Sequence, residues 1–331
     1  MKVLVTGVAG LLGANFSNYL LDKGYEVVGI DNLSGGYRSS VPTGVDFHNI
    51  DLNDVKGVNA VFRSSKPDYV YHFAAYAAEG LSPFIRNYNY VNNVLCSINI
   101  VNACVNFDVK KLIFTSSMAV YGEGDPPFNE SQRPAPEDPY GIAKYAVEQD
   151  IALAKKMFGL EYSIIRPHNV VGLYQNIWDR YRNVIGIWIR KILDDEPVTI
   201  FGDGTQRRAF SDIEYYMKPF EKLMTDRNTD GMTYNIGADK DYSINEAAGL
   251  LMSVSEEFGY SPTRVHLEPR NEVHTAYCDH NLARRDLDFE DNTDLRKTMH
   301  EMLQWALSQP EHPIKDMEYE IEKNMYSFWK K

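Results

Sequence analysis

The chain predicts an α/β protein in which a doubly wound parallel sheet precedes a smaller mixed α/β lobe. Two observations lead there. Through the first half, short β-rich runs alternate with stretches of helical period, and after residue 167 that rhythm loosens into turn-rich pieces. The runs are also nearly continuous in apolar residues, as expected of strands buried on both faces, so helices must cover both sides of the sheet and join its strands by right-handed crossovers.

The strand runs are K-V-L-V-T at 2–6, E-V-V-G-I at 26–30, a third ending before Asp51, D-Y-V-Y-H at 68–72, K-L-I-F-T at 111–115 and Y-S-I-I-R at 162–166. Between them, 11–22, 54–64, 83–106 and 139–158 repeat apolar residues at spacings of three and four, the period of a helix with one buried face. Beyond 167, around the turn Gly202-Asp203-Gly204, helices are expected near 181–193, 243–257 and 293–308. T-Y-N-I at 233–236 is expected to return to the first sheet, which divides the chain into 1–167 with about 209–240 and about 168–208 with 241–331. The mixed charged and aromatic stretch 314–331 carries no readable signal of its own.

With 46 acidic against 34 basic side chains, the formal charge of −12 repels polyphosphate backbones and argues against nucleic acid as a partner. Cys96, Cys104 and Cys278 form no paired framework and no C-x-x-C spacing, which suits a reducing cytoplasm and gives a metal site no support. Lys2 followed by apolar residues imitates a signal peptide, but Gly7, Gly10 and Gly13 interrupt the segment. No uninterrupted apolar run reaches the ~18 residues of a membrane span, so a soluble cytoplasmic protein is expected.

The first strand runs into T-G-V-A-G-L-L-G, residues 6–13, and then a helix. Glycines there permit a tight turn and let backbone N–H groups at a helix N-terminus approach a pyrophosphate. The second strand ends in Asp31, eighteen residues after Gly13, where a carboxylate accepts from adenosine ribose hydroxyls and repels a 2′-phosphate. NAD is thus favoured over NADP. Two further stretches fall at carboxyl ends of strands, where open α/β sheets bind ligands: Asp51-Leu52 and Phe73-Ala74-Ala75. Asp51 either caps the helix starting near 54 or touches the adenine.

The run I-F-T-S-S-M-A-V-Y-G at 113–122 ends a strand in three hydroxyl side chains, and some 25 residues later P-Y-G-I-A-K places Tyr140 and Lys144 four apart on one helical face. Together these offer a base, a cation and an orienting hydroxyl. A phenol of pKa near 10 needs ~4 kcal/mol of differential stabilisation to become a base at neutral pH, which a nearby ammonium and a positive nicotinamide ring are expected to provide.

T-G-x-x-G-x-x-G, Asp31, Ser117 and Y-x-x-x-K resemble the extended short-chain dehydrogenase/reductase family of sugar-nucleotide epimerases and dehydratases, over nearly the whole chain. The resemblance implies a Rossmann-type fold and NAD, with Tyr140 as base, Lys144 binding the nicotinamide ribose and tuning the phenol, and Ser117 bonding the sugar hydroxyl. It implies a cofactor-binding set of Gly7, Gly10, Leu11, Leu12, Gly13, Asp31, Asn32, Asp51, Leu52, Phe73, Ala74, Ala75 and Asn93, with Tyr140 and Lys144. Dehydratases of this family place Asp-Glu after the hydroxyl residue, because elimination needs an acid and a base. Here those positions are Met118 and Ala119, and the Glu of the decarboxylases is also absent. Ser117-x-x-Val-Tyr-Gly is similar to the UDP-hexose 4-epimerases, with epimerases of a UDP-uronic acid or CDP-sugar as the alternative, and a dehydratase or a catalytically silent NAD-binding regulator behind them.

On the substrate side, Asn169 in R-P-H-N and Asn183 resemble contacts to the nucleotide-sugar diphosphate, and Arg208 and Arg270 match arginines that clamp it. Ala276 in A-Y-C-D falls where a small residue admits a 2-acetamido group, which implies a roomy sugar pocket. Ala77 stands where the epimerase pattern carries a cofactor-contacting lysine, and S-D-I-E-Y-Y after Arg208 departs from the usual aromatic-valine-aspartate. Trp178, Asp179 and Arg180 fit a packed loop as well as a site. The resemblance also implies a homodimer built on the helices at 83–106 and 139–158.

Overall fold

Lys2–Thr6 forms β1, whose side chains alternate between two cores: Val3 and Val5 join Phe16, Leu20, Tyr71 and Phe220, while Leu4 joins Val70, Leu112 and Phe114. A strand that buries both faces in this way can only lie inside a covered sheet. The computed structural model describes residues 1–270, 273 and 275–330. After β1 come α1 (Leu11–Asp22), β2 (Glu26–Asp31), β3 (Asp46–Asn49), α2 (Val55–Ser65), β4 (Tyr69–His72), α3 (Arg86–Tyr90), α4 (Cys96–Asn106), β5 (Lys111–Thr115), α5 (Pro139–Phe158) and β6 (Tyr162–Pro167). The second half carries β7 (Val170–Val171), α6 (Val184–Leu193), β8 (Val198–Phe201), β9 (Arg207–Ala209), β10 (Ser211–Asp212), α7 (Met217–Thr225), β11 (Thr233–Ile236), β12 (Asp241–Ser243), α8 (Ile244–Glu256), β13 (Arg264–Leu267), β14 (Thr275–Ala276), α9 (Asn281–Leu287) and α10 (Leu295–Leu307).

The main sheet has seven strands in the order β3-β2-β1-β4-β5-β6-β11, all parallel. The order turns back at β1 and β4, so their carboxyl ends splay apart and open the crevice that such sheets use for ligands. T-Y-N-I does return to this sheet: Tyr234 pairs with Ile165 of β6. Two helices are bounded by strong local signals. α5 starts where Asp138 accepts from the N–H groups of Tyr140 and Gly141 with Pro139 in the first turn, and it stops at Gly159 in the left-handed region. α8 starts at a reciprocal capping box between Ser243 and Glu246.

One expected helix is not continuous. The stretch 83–106 opens with a tight turn at Glu79–Phe84 containing Pro83, continues as α3, widens into a π-turn at Val91–Leu95 and only then becomes α4. The widened turn brings buried Asn93 onto the loop after β4, where its amide accepts from Tyr76 N at 3.0 Å and donates to Tyr76 O at 3.1 Å. The second lobe packs α6, α8 and α10 through Trp188, Ile189, Leu251, Met299 and Leu303. From there the C-terminal stretch runs back across the molecule, where Met325 packs with Leu81 and Phe84.

Candidate active site

The crevice is a cavity of about 1220 Å³ lined from both lobes. Its floor is the glycine turn. Gly7 has φ +71°, and a Cβ there would lie 2.8 Å from Ala74 N; a Cβ on Gly13 would lie 2.2 Å from Gly7 O. Only glycine lets β1, α1 and the loop after β4 close to this distance. No side chain caps α1, and Gly10, Leu11, Leu12 and Gly13 line the cavity, so the helix offers backbone N–H groups and the positive end of its dipole there.

Asp31 lies at the end of β2, where its carboxylate accepts from Ala9 N at 3.0 Å and Leu33 N at 2.7 Å. Burial pushes its pKa up against those two bonds. Asn32 lines the cavity and donates to Asp51 at 3.0 Å. Asp51 does not cap the following helix: Asp54 does, accepting from Gly57 N, while Asp51 turns back on Asn53 at 2.7 Å and stays at the cavity wall with Leu52. Phe73, Ala74 and Ala75 line it too, Ala74 N donating to Thr6 Oγ1 at 3.3 Å. Asn93, expected at the cofactor, is not among the lining residues: it is fully buried behind the loop that it braces. The uncapped helix, the glycine cradle and the strand-end carboxylate fit a dinucleotide.

Across the crevice, Ser117, Tyr140 and Lys144 converge. Ser117 follows β5 and accepts from Ala119 N at 3.1 Å, and its side chain lies beside the Tyr140 phenol. Lys144, one turn along α5 and 2% exposed, donates to Thr115 O at 2.8 Å. Burial pushes its amine down to about 8. Burial also pushes the phenol of Tyr140 up; the neighbouring Ser117 hydroxyl pulls the other way and loses. In the protein alone burial keeps the phenol neutral, and the Lys144 nitrogen lies 5.9 Å from the ring centre. Met118 and Ala119 bring no acid to this corner, and nearby Asp138 is committed to the α5 cap.

The second lobe places the remaining expected residues on the same cavity. Asn169 and Asn183 both line it with positive φ, +41° and +49°. Backbone held there in non-glycine residues is uncommon, and it persists where the surroundings over-determine it. Asn183 also caps α6, accepting from Ile185 N at 3.2 Å and donating to Val170 O at 2.8 Å, so the helix begins at Val184. In R-P-H-N, Arg166 makes a buried two-pronged pair with Glu148 at 2.9 and 2.6 Å, and His168, at the cavity wall and pushed down to about 3 by burial, sits 3.0 Å from His280. Arg208 and Ala276 stand side by side in the β9–β14 pairing and line the cavity together. Arg270 lies 3.4 Å over the Phe201 ring.

Two further groups line the cavity. Of the loop that fitted a packed turn as well as a site, buried Trp178 and Asp179 lie at the cavity wall together with half-buried Arg182, which the sequence reading missed and whose Nε is 2.8 Å from Asp179. The C-terminal stretch contributes Tyr319, Tyr326, Phe328 and Trp329, with Phe328 and Trp329 centred 5.0 and 5.3 Å from the Arg270 guanidinium. Glu320 anchors this strap by accepting from the N–H groups of Asn87 and Tyr88 at 2.7 and 2.8 Å. The density of aromatics at 317–329 was the available signal.

The fold and cleft define a dinucleotide-dependent enzyme with a serine–tyrosine–lysine centre. Residues 3–237 match the NAD dependent epimerase/dehydratase family. A UDP-glucose 4-epimerase of Corynebacterium glutamicum is 30% identical over 325 residues, 93% of this chain and 96% of that protein. The chain belongs to the NAD-dependent epimerase/dehydratase family, and its cofactor is NAD. Among solved structures, the UDP-glucose 4-epimerase of Thermotoga maritima with UDP-glucose aligns with a TM-score of 0.85 at 28% identity, covering 93% of this chain and 99% of that one. The UDP-glucuronic acid 4-epimerase of Bacillus cereus, in complex with UDP-glucuronic acid and NAD, aligns at 0.82 and 27%, covering 92% and 98%.

Proposed function

We propose that this chain is an NAD-dependent 4-epimerase of UDP-hexoses that interconverts UDP-glucose and UDP-galactose, with room for their 2-acetamido derivatives beside Ala276. The observation that carries this is the convergence of Ser117, Tyr140 and Lys144 in a corner where Met118 and Ala119 supply neither acid nor base. Such a centre can take a proton from a sugar hydroxyl and give it back. Elimination of water needs a second acid–base pair. The relatives named above act at C4 of UDP-sugars, which supports the same carbon here.

NAD, when bound, supplies the acceptor and donor for the C4 hydride. Ionised once positive charge lies beside it, the Tyr140 oxygen would take the O4 proton as C4 is oxidised and return it when C4 is reduced from the opposite face, with Ser117 holding the oxygen in line. Lys144 supplies positive charge beneath the phenol and an N–H donor toward the nicotinamide ribose. Asn169, Asn183, Arg208 and Arg270 hold the diphosphate, so the keto sugar turns about its phosphate linkage while the nucleotide stays in place.

In this reading residues 1–167 with 209–240 bind NAD and 168–208 with 241–331 bind the nucleotide sugar; the β6–β11 pairing supports that division. The protein is cytoplasmic, which its three free buried cysteines favour, and among the described residues no helix is long and apolar enough to cross a membrane. It forms a homodimer through α4 and α5. Ile142, Leu153 and Met157 lie on one face of α5 and are 43, 51 and 62% exposed, with Leu95 at 54% just before α4.

The test is incubation of the NAD-loaded protein with UDP-glucose, UDP-galactose, UDP-N-acetylglucosamine, UDP-glucuronic acid and CDP-glucose, followed by separation of epimers. Galactose appearing from UDP-glucose supports the proposal. Turnover of UDP-glucuronic acid or CDP-glucose alone replaces it with the uronic acid or CDP-sugar reading, and no epimer from any sugar with NAD retained leaves a silent NAD-binding protein.

A further inference from the structure

A dinucleotide brings a diphosphate to the glycine turn, and the turn itself meets it with neutral groups only. The loop after β4 brings Ala75, Tyr76 and Ala77 to the cavity and no charge. Lys144 is committed to Thr115 O at the hydroxyl end of the crevice. Backbone N–H groups and a helix dipole favour an anion, but a diphosphate desolvated against one low-dielectric wall calls for a cation as well.

Arg182 is placed to be that cation. It comes from the second lobe, yet its Nη2 donates to Gly35 O at 3.1 Å, and Gly35-Gly36 lies directly on the glycine turn: a Cβ on Gly36 would fall 2.3 Å from Ala9 O. Its guanidinium lies 5.0 Å over the ring of Tyr76, in the loop after β4. A Cβ on Gly35 would stand 2.9 Å from Nη2 and 3.1 Å from Nη1, so the first glycine of that pair makes room for the fork. The group therefore spans the two loops that flank the turn. Asp179, itself buried, holds Nε at 2.8 Å and fixes the plane against Tyr76. Nη1 has no hydrogen-bond partner among the described residues, and Arg182 lines the cavity. The field of the same guanidinium reaches both Asp31 and Tyr140, the two ends of the expected dinucleotide site.

We propose that Arg182 binds the diphosphate of NAD across the glycine turn, with Asp179 as the residue that positions it. The inference rests on the crevice being the NAD site. It assigns to the second lobe a direct hold on the cofactor, so the lobe that carries the sugar nucleotide also helps to retain NAD. A merely structural Arg182 would serve only to bridge the lobes through Asp179 and Gly35.

Calorimetric titration of nucleotide-stripped protein with ADP, NAD and adenosine separates the two roles. Arg182→Gln is expected to weaken ADP and NAD by roughly tenfold or more, the scale of a lost charge-assisted hydrogen bond, while adenosine binding stays within about twofold of wild type. Equal ADP affinity in wild type and variant overturns the proposal, as does an equal loss for adenosine and ADP. Should Arg182→Gln fail to fold, Arg182→Lys keeps a positive charge without the fork and is expected to fall between the two for ADP; an unchanged ADP affinity there also overturns it. Failure of wild type to bind ADP or NAD at all would instead overturn the assignment of the crevice.

Discussion

The Lys144 ammonium donates at 2.8 Å to the carbonyl of Thr115 and stands 5.9 Å from the centre of the Tyr140 ring. Four residues apart on α5, the two side chains share one buried face, and burial acts on them in opposite directions: the amine falls to about 8 and the phenol rises. Both shifts favour neutral forms. The site in the protein alone is thus held ready rather than switched on, and a positive group arriving beside the phenol has the larger effect for being in a low dielectric.

That arrangement makes a pH prediction with a definite sign. The folded-state pKa of Lys144 is depressed from the ordinary 10.5 to about 8, so between those values the unfolded chain holds a proton that the folded chain has released. This group therefore makes unfolding less favourable as pH rises through that window. Lys144→Met should remove the contribution and flatten the rise of stability relative to wild type, as read by denaturant unfolding of the NAD-free proteins. Parallel stability curves across the window would show that the amine is not depressed.

Tyr140→Phe removes one hydroxyl from a ring that is 8% exposed and leaves its packing intact. Turnover is expected to drop by roughly 10²–10⁴-fold, the usual worth of a positioned acid–base group. UDP binding, measured separately by calorimetry, should stay within about twofold because the proposed diphosphate contacts lie in the other lobe. A Phe variant with wild-type turnover removes Tyr140 from the chemistry.

Gly13 is tested by a single methyl. Its Cβ would sit 2.2 Å from Gly7 O and 2.7 Å from Val8 Cα, backbone atoms that cannot swing aside. Gly13→Ala should cost about 1–3 kcal/mol in folding by overpacking and should release NAD, because the turn must open to admit the methyl. Nucleotide content of the purified variant and its denaturation midpoint check both. A variant as stable as wild type and still carrying NAD would mean that the turn has slack.

What was legible in the sequence follows the range of the forces involved. β1, α1, α5 and β11 were readable because burial period and caps are local: Pro139 after Asp138 starts a helix and Gly159 ends it wherever they occur. The glycine turn, Asp31, Ser117, Tyr140 and Lys144 were readable because each falls at a strand end or a helix start, which the topology then brings to one crevice. The break at Val91–Leu95 was not, since apolar spacing barely distinguishes a π-turn from an α-turn, and it sets Asn93 behind the loop after β4. How strongly burial opposes ionisation of the phenol was not readable either, because burial is a tertiary quantity. The strap escaped notice for the same reason: its aromatics contact Phe84, Phe201 and Arg270, all distant in sequence.

The strap makes its own prediction. Phe328 packs 4.4 Å from the Phe201 ring, and with Trp329 it faces the Arg270 guanidinium, so three aromatic rings fix the arginine's plane. Replacing Phe328 and Trp329 by Ala together removes two of the three. At about 0.5–2 kcal/mol per cation–π contact, KM for the UDP-sugar should rise several-fold or more with kcat changed little, because the loss is in binding rather than in the reacting groups. Unchanged KM would make the strap a cover rather than a support.

The proposed role of Ala276 is to set how much room the sugar has. It lies beside Arg208 across the β9–β14 pairing and lines the cavity, so a larger side chain there enters the space next to the diphosphate arm. Ala276→Tyr should depress kcat/KM for UDP-N-acetylglucosamine relative to UDP-glucose by roughly 10–200-fold, the discrimination that pocket volume alone can give. Plain hexoses fit the smaller pocket and should keep most of their turnover. The ratio of the two kcat/KM values, wild type against variant, cancels any general loss of activity. If the ratio does not move, the 2-position of the sugar lies elsewhere in the cavity and Ala276 is only a small residue in a short strand.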